Sequence, residues 1–203
     1  LPRDQRFLLI GESFSGPIAI DLAAMRPKDL MGLVLCATFA KAPRPRLSPF
    51  RHLAGALPLR LLPMQLFMAV MMGRWSTREY RLRLRAALTA LDRSVLQCRL
   101  AEASLVDASA RLSEIACPVL YLQASHDRVV LPDSWTTIRD AIRDAVCVQI
   151  EAPHMLLQAK PIECAMAIKR GLGNLRSRDA EDIIEQRSCG DFRTRARTLD
   201  HQR

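Results

Sequence analysis

The stretch Leu8-Leu9-Ile10-Gly11-Glu12-Ser13-Phe14-Ser15-Gly16-Pro17-Ile18-Ala19-Ile20 changes character at its middle. Phe7 to Ile10 is a continuous apolar run, the pattern of a strand covered on both faces. Pro17 stands where the first turn of a helix has no use for an N–H. Ile18, Leu22 and Met25 continue with helical spacing, which stops near Pro27. Between strand and helix the chain must reverse sharply at Ser13. A residue at such a tip is driven toward positive φ, a region that side chains other than hydrogen avoid. The positions two residues away must be small so that strand and helix can approach, and Gly11 and Ser15 meet that need. Ser13 is therefore expected to stand at the end of a strand with its hydroxyl exposed. Ser15 is expected to contribute only its small size.

Gly11-Glu12-Ser13-Phe14-Ser15-Gly16 resembles the nucleophile elbow of the α/β-hydrolase fold, G-x-S-x-G, with one departure. The second glycine position holds Ser15, and the glycine comes one place later. The resemblance implies two partners in a fixed order, an Asp or Glu and then a His, each after a later strand.

The chain offers both. Gly32 to Ala37, Pro118 to Ala124 and Val146 to Ile150 read as further strands. Asp133 to Asp144 and Ile162 to Arg170 read as helices between and after them. Strands alternating with helices imply a parallel sheet with helices on its faces. Active groups then sit at the carboxyl ends of the strands. Ser125-His126-Asp127-Arg128-Val129-Val130 is similar to the family's acid loop, and Ala152-Pro153-His154-Met155-Leu156-Leu157, with Pro161 beyond, to its histidine loop. The resemblance thus implies a catalytic triad of Ser13, Asp127 and His154, with the backbone N–H of Phe14 as one oxyanion donor.

These residue types suit the chemistry. A serine hydroxyl is a poor nucleophile until a base within hydrogen-bond reach takes its proton. Imidazole titrates near neutrality and can be that base. A carboxylate behind it fixes the tautomer and stabilises the imidazolium. Glu12 is expected to point away from Ser13, solvated or locally hydrogen-bonded. His126 reads as a loop residue, and His52 and His201 fall in no matching motif. No metal or organic cofactor is implied.

The resemblance covers Phe7 to about Leu172 and starts partway through the family's pattern. The chain has no initiator Met, and the nucleophile strand begins six residues from Leu1. The sequence is therefore expected to be the carboxyl-terminal portion of a hydrolase: a partial α/β-hydrolase fold without the first strands of its sheet. The absent part amounts to roughly 80 residues at about 30 or more per βαβ unit. A half-protein completed by another chain is the alternative. The loop that supplies the second oxyanion donor belongs to the absent part.

Four regions follow: 1–40 carries the elbow, 41–115 an insert, 116–173 the acid and histidine, and 174–203 a polar tail. The insert opens with Pro43, Arg44, Pro45, Arg46 and Pro49, a linker-like composition. Leu57 to Gly73 follows, too short and too interrupted for a membrane span. Its position matches the helical lid of the resembled family, expected to overhang Ser13 without contributing to the triad. Met64, Met68, Met71 and Met72 suit either an adaptable pocket wall or plain packing on the core. The tail from Asn174 is expected to be disordered beyond a short helix around Ala180 to Gln186.

The formal net charge is +9, mostly from arginine. Arg78, Arg81 and Arg85 share one face of a lid helix, with Arg83 opposite; a solvated face or attraction for an acyl-carrier-bound substrate both fit. Nucleic acid is not expected, because the charges are scattered and aromatics make up 5%. Six cysteines show no metal-binding spacing and read as buried thiols of a cytoplasmic protein. The expected activity is hydrolysis of a small-molecule or carrier-bound ester or thioester. A carbon–carbon bond hydrolase, a cofactor-free haloperoxidase and a non-catalytic ligand-binding relative are the alternatives.

Overall fold

A computed structural model describes residues 1–2, 4–42, 64–171 and 173. The proline-rich start of the insert, His52, the segment 57–63, Cys189, His201 and the tail from Asn174 with its expected helix lie outside the described residues.

Four strands form one parallel sheet: β1 (Phe7–Glu12), β2 (Leu30–Cys36), β3 (Val119–Ala124) and β4 (Val146–Ile150). They lie side by side in chain order, and every pairing is parallel. Helix α1 (Ser15–Ala24) returns the chain from β1 to β2. Helix α1 begins two residues before Pro17, because the elbow already turns at Ser13 and leaves no room for a longer loop.

The alternation of β2 accounts for the two-sided core. Leu33 and Leu35 face α1, with Ala19 and Ile20, and join Tyr121 and Ile138. Val34 and Cys36 face the other way, into Leu120, Leu122, Ile150, Leu156 and Cys164. Burial on both faces is what a continuous apolar strand in a parallel sheet requires.

Between β2 and β3 the chain makes an excursion of helices: α2 (Met64–Met71), α3 (Arg78–Ala90) and α4 (Arg93–Leu105). A 3₁₀ turn over Gly73–Trp75 links α2 to α3. Thr77 caps α3 by accepting the Tyr80 N–H at 3.2 Å, and Asp92 caps α4 by accepting that of Ser94 at 2.8 Å. The excursion closes through a narrow neck. Ala42 N donates to Val106 O at 2.9 Å, Ala108 N donates to Ala40 O at 2.8 Å, and Lys41 pairs with Asp107 at 3.2 Å. Ser109 donates twice to Asp107 and holds its carboxyl below the usual range, with Lys41 adding to the effect. A 3₁₀ segment over Ser109–Glu114 then leads into β3.

Helix α5 (Asp133–Ala141) lies between β3 and β4, and ends earlier than the sequence suggests, where Ile142 turns extended. The short helix α6 (Leu156–Ala159) and a helix over residues 161–171 follow β4. Among the described residues no helix is long and apolar enough to cross a membrane.

Candidate active site

Ser13 has φ of +50°, so the strained tip expected from the sequence is present. Four contacts hold it there. Ser13 N donates to Cys36 O at the end of β2 at 3.0 Å, and Gly16 N donates to Ser13 O at 3.1 Å. The buried Thr38 hydroxyl also donates to Ser13 O. The Ser15 hydroxyl is the fourth. It accepts from Glu12 N at 2.8 Å and donates to Glu12 O at 2.8 Å, bracing both backbone polar groups of the residue before the serine. Ser15 therefore does more than stay small, which corrects the reading from sequence.

The two glycines have separate reasons. A Cβ on Gly11 would stand 2.8 Å from the Ala19 Cβ, where strand and helix cross. A Cβ on Gly16 would fall within 1.8 Å of Thr38 Oγ1. The glycine one place beyond the usual motif position is thus the one that lets Thr38 approach the elbow.

The acid loop leaves the carboxyl end of β3. Ser125 N and His126 N donate to Ile150 O and Ala152 O, each at 3.0 Å, which ties this loop to the one after β4. Asp127 Oδ1 accepts the N–H groups of Val129 at 2.8 Å and Val130 at 2.9 Å. That local turn leaves the carboxylate little freedom. His154, 1% exposed, follows β4 between buried Pro153 and buried Leu156.

The three loops converge. His154 Nδ1 lies 2.9 Å from Asp127 Oδ2 and 3.0 Å from Oδ1. His154 Nε2 lies 2.8 Å from Ser13 Oγ, across 141 positions of sequence. A carboxylate accepts only, so the proton of a neutral imidazole sits on Nδ1, and Nε2 faces the serine as acceptor. The Asp127 and His154 side chains are 6% and 2% exposed, so water does not compete for their contact. Phe14, next after Ser13, stands at the N-terminus of α1 with helical φ and ψ.

Glu12 is half-buried, and its side-chain hydrogen bonds are to distant residues, not local ones. Its Oε1 accepts the Leu157 N–H at 3.1 Å and its Oε2 accepts from Gln158 Nε2 at 2.8 Å, both in α6. No local pattern signals these bonds, because the partners are 145 and 146 positions away. His126 is half exposed and packs against Trp75 with the rings tilted by 50° and centroids 5.3 Å apart; it does not enter the Ser13 contact.

The helical excursion contributes no side chain to the Ser13–His154–Asp127 contacts, but it touches the loops that carry them. Met155 N donates to Met71 O at 3.2 Å, immediately after His154. Arg128 Nη1 donates to Ala69 O at 3.2 Å, immediately after Asp127. The Tyr80 hydroxyl donates to Gln158 O, and Arg74 pairs with Glu151. Met68 and Met72 are 2% exposed and pack inward. Arg78, Arg81, Arg83 and Arg85 all lie on exposed positions of α3, Arg83 paired with Glu79 at 2.7 Å.

No described cysteine is in a disulfide. Burial, with Glu12 adding to it, pushes the Cys36 thiol far up, which makes it inert beneath the elbow. Among the described residues no cluster of His, Cys, Asp and Glu is arranged to hold a metal ion.

Solved structures share this architecture. A hydrolase from Pseudomonas aeruginosa PA01 is 26% identical, with a TM-score of 0.66 over 83% of this chain and 65% of that one. A thermophilic esterase from Thermogutta terrifontis is 21% identical, with a TM-score of 0.66 over 83% and 65%. A bromoperoxidase from Bacillus anthracis is 17% identical, with a TM-score of 0.69 over 83% and 68%. The chain thus spans 65% of the length of the Pseudomonas hydrolase. No curated protein matches it. The family model for serine aminopeptidase, S33, matches residues 2–157, from the strand before Ser13 through the histidine loop. The chain belongs to this S33 family of the α/β-hydrolase superfamily.

Proposed function

We propose that the protein is a serine hydrolase that cleaves an ester or thioester through an acyl-enzyme. The observation that carries this reading is the unbroken contact from Ser13 Oγ to His154 Nε2 at 2.8 Å and from Nδ1 to Asp127 at 2.9 Å. Ser13 Oγ attacks the carbonyl carbon as its proton passes to His154 Nε2. Asp127 keeps the imidazole in the required tautomer and stabilises the imidazolium. The Phe14 N–H, at the N-terminus of α1, donates to the developing oxyanion. Collapse expels the alcohol or thiol, which takes the proton from His154. Water, deprotonated by the same nitrogen, then releases the acid and restores Ser13. Base assistance of this kind contributes about 10²–10⁴ in rate.

In this reading the helices between β2 and β3 act as a lid whose inner wall selects the acyl group. Contacts from Met71, Ala69 and Tyr80 to the acid and histidine loops support that placement. The exposed arginines of α3 suit a small acidic ester or a carrier-bound acyl chain.

Pre-steady-state hydrolysis of p-nitrophenyl acetate by the full-length protein tests the mechanism. A burst of nitrophenolate stoichiometric with enzyme, absent from Ser13→Ala, is expected. Turnover unchanged by that substitution excludes the reading.

A further inference from the structure

We infer that Glu12 is a positioning residue that sets the distance between nucleophile and base, an inference that rests on the serine-hydrolase reading above. Glu12 precedes Ser13 directly. Both carboxylate oxygens are engaged on α6, which begins two residues after His154. One side chain therefore joins the backbone carrying Ser13 Oγ to the backbone carrying His154 Nε2.

Both ends of the link are fixed. At the elbow, the Ser15 hydroxyl pins Glu12 N and Glu12 O, so the carboxylate does not swing by backbone rotation. At α6, the acceptors and donors leave few alternatives. Met155 N is taken by Met71 O, and Leu156 N by His154 O at 2.8 Å. Leu157 N is the next donor in line, and Glu12 Oε1 takes it. A carboxylate accepting a backbone N–H and an amide N–H makes charge-assisted hydrogen bonds, stronger than neutral ones. Gln158 offers its Nε2 to Glu12, while its Oε1 is buried with no hydrogen-bond partner. The side chain is thus oriented toward the carboxylate at the expense of its own oxygen. Without Glu12, the half-buried N–H of Leu157 and the Gln158 amide lose their acceptors. The polar link left between the histidine loop and the elbow is then the Ser13–His154 contact itself, beside the apolar packing of Leu8 on the cluster that holds Leu156.

The chemistry of the link makes a distinction among substitutions. Glu12→Gln keeps one oxygen for Leu157 N, and its new amide can donate to the orphaned Gln158 Oε1 once that side chain flips. Glu12→Ala keeps neither contact. Misplacing a reacting group by about 1 Å can cost on the order of 10²-fold in rate.

The test compares the full-length protein with Glu12→Ala, Glu12→Gln and Ser13→Ala, on a p-nitrophenyl ester and a fluorophosphonate probe. Thermal melting and circular dichroism establish that each variant is folded. The expected result is that Glu12→Ala lowers kcat and the rate of Ser13 labelling by roughly 10–10²-fold with KM within about threefold of the parent. Glu12→Gln is expected to recover most of the loss. A folded Glu12→Ala with unchanged kcat overturns the inference and leaves the serine mechanism standing. So does a Glu12→Gln as slow as Glu12→Ala. If Glu12→Ala does not fold, the folded Gln158→Ala variant decides: removing one of the two contacts must lower kcat at constant KM, and unchanged kcat overturns the inference. Failure of the parent to label at Ser13 overturns the mechanism and the positioning role together.

Discussion

Gly16 and Thr38 touch so closely that a single added carbon on Gly16 would lie 1.8 Å from the Thr38 hydroxyl oxygen and 2.7 Å from its Cβ. Thr38 is fully buried, and its hydroxyl holds Ser13 O, so it has nowhere to retreat. Gly16→Ala is therefore expected to lower stability by about 1–3 kcal/mol, the usual cost of overpacking. Activity should fall with it, because the displaced Thr38 releases the elbow. Urea denaturation and ester turnover measured together check this; a variant as stable and active as the parent contradicts it.

Ser15 occupies the position where the motif usually has glycine, and its hydroxyl closes two 2.8 Å bonds on Glu12. Ser15→Gly, which restores the usual motif, is expected to destabilise the protein by about 1 kcal/mol, a typical net value for lost hydrogen bonds. It should also slow turnover several-fold. A gain in stability or rate would show that the brace is idle.

Asp127→Asn preserves the shape of the acid loop but presents an amide to His154 Nδ1. The wrong tautomer is then favoured, and kcat is expected to fall by up to about 10⁴-fold with the fold intact. Near-parent turnover in a folded Asp127→Asn would place the acid elsewhere.

The thiols predict an alkaline limit to stability. Burial pushes Cys117 and Cys164 from 9.0 up to about 11 in the folded protein. Their folded pKa is raised, so the unfolded chain releases protons first as the pH climbs. The stabilisation is complete below about pH 9 and is lost as the pH rises toward 11. The urea midpoint should hold to pH 8.5 and fall steadily above pH 9 on this account. Iodoacetamide at pH 8.5 should reach exposed Cys98 in the native protein, and buried Cys36 and Cys164 only after unfolding. Rapid native labelling of Cys36 contradicts the burial argument.

The parts of the site legible in the sequence are those written locally. Strain at Ser13 follows from a strand and a helix separated by too few residues, and the structure shows it as positive φ. The loops bearing Asp127 and His154 follow apolar runs that become β3 and β4. What could not be read there depends on which distant side chains meet. Glu12 reads from sequence as a solvated or locally hydrogen-bonded residue because its partners, Leu157 and Gln158, become neighbours only once four strands are aligned. Ser15 looked merely small because a hydroxyl's partners depend on the turn's shape. The bond from Met155 N to Met71 O joins the helices between β2 and β3 to the histidine loop, and no local periodicity reports a contact between segments so far apart in sequence. Gly16 was seen, but its reason, Thr38, stands beyond the end of another strand.

The central claim is that Ser13 is a nucleophile activated by His154, 2.8 Å away. Peptide mapping of the full-length protein after treatment with a fluorophosphonate tests it most directly. The account predicts one phosphonylated residue, Ser13, with labelling abolished in His154→Ala and absent from Ser15. A native, folded protein that takes no label at Ser13, or that labels equally well without His154, contradicts it.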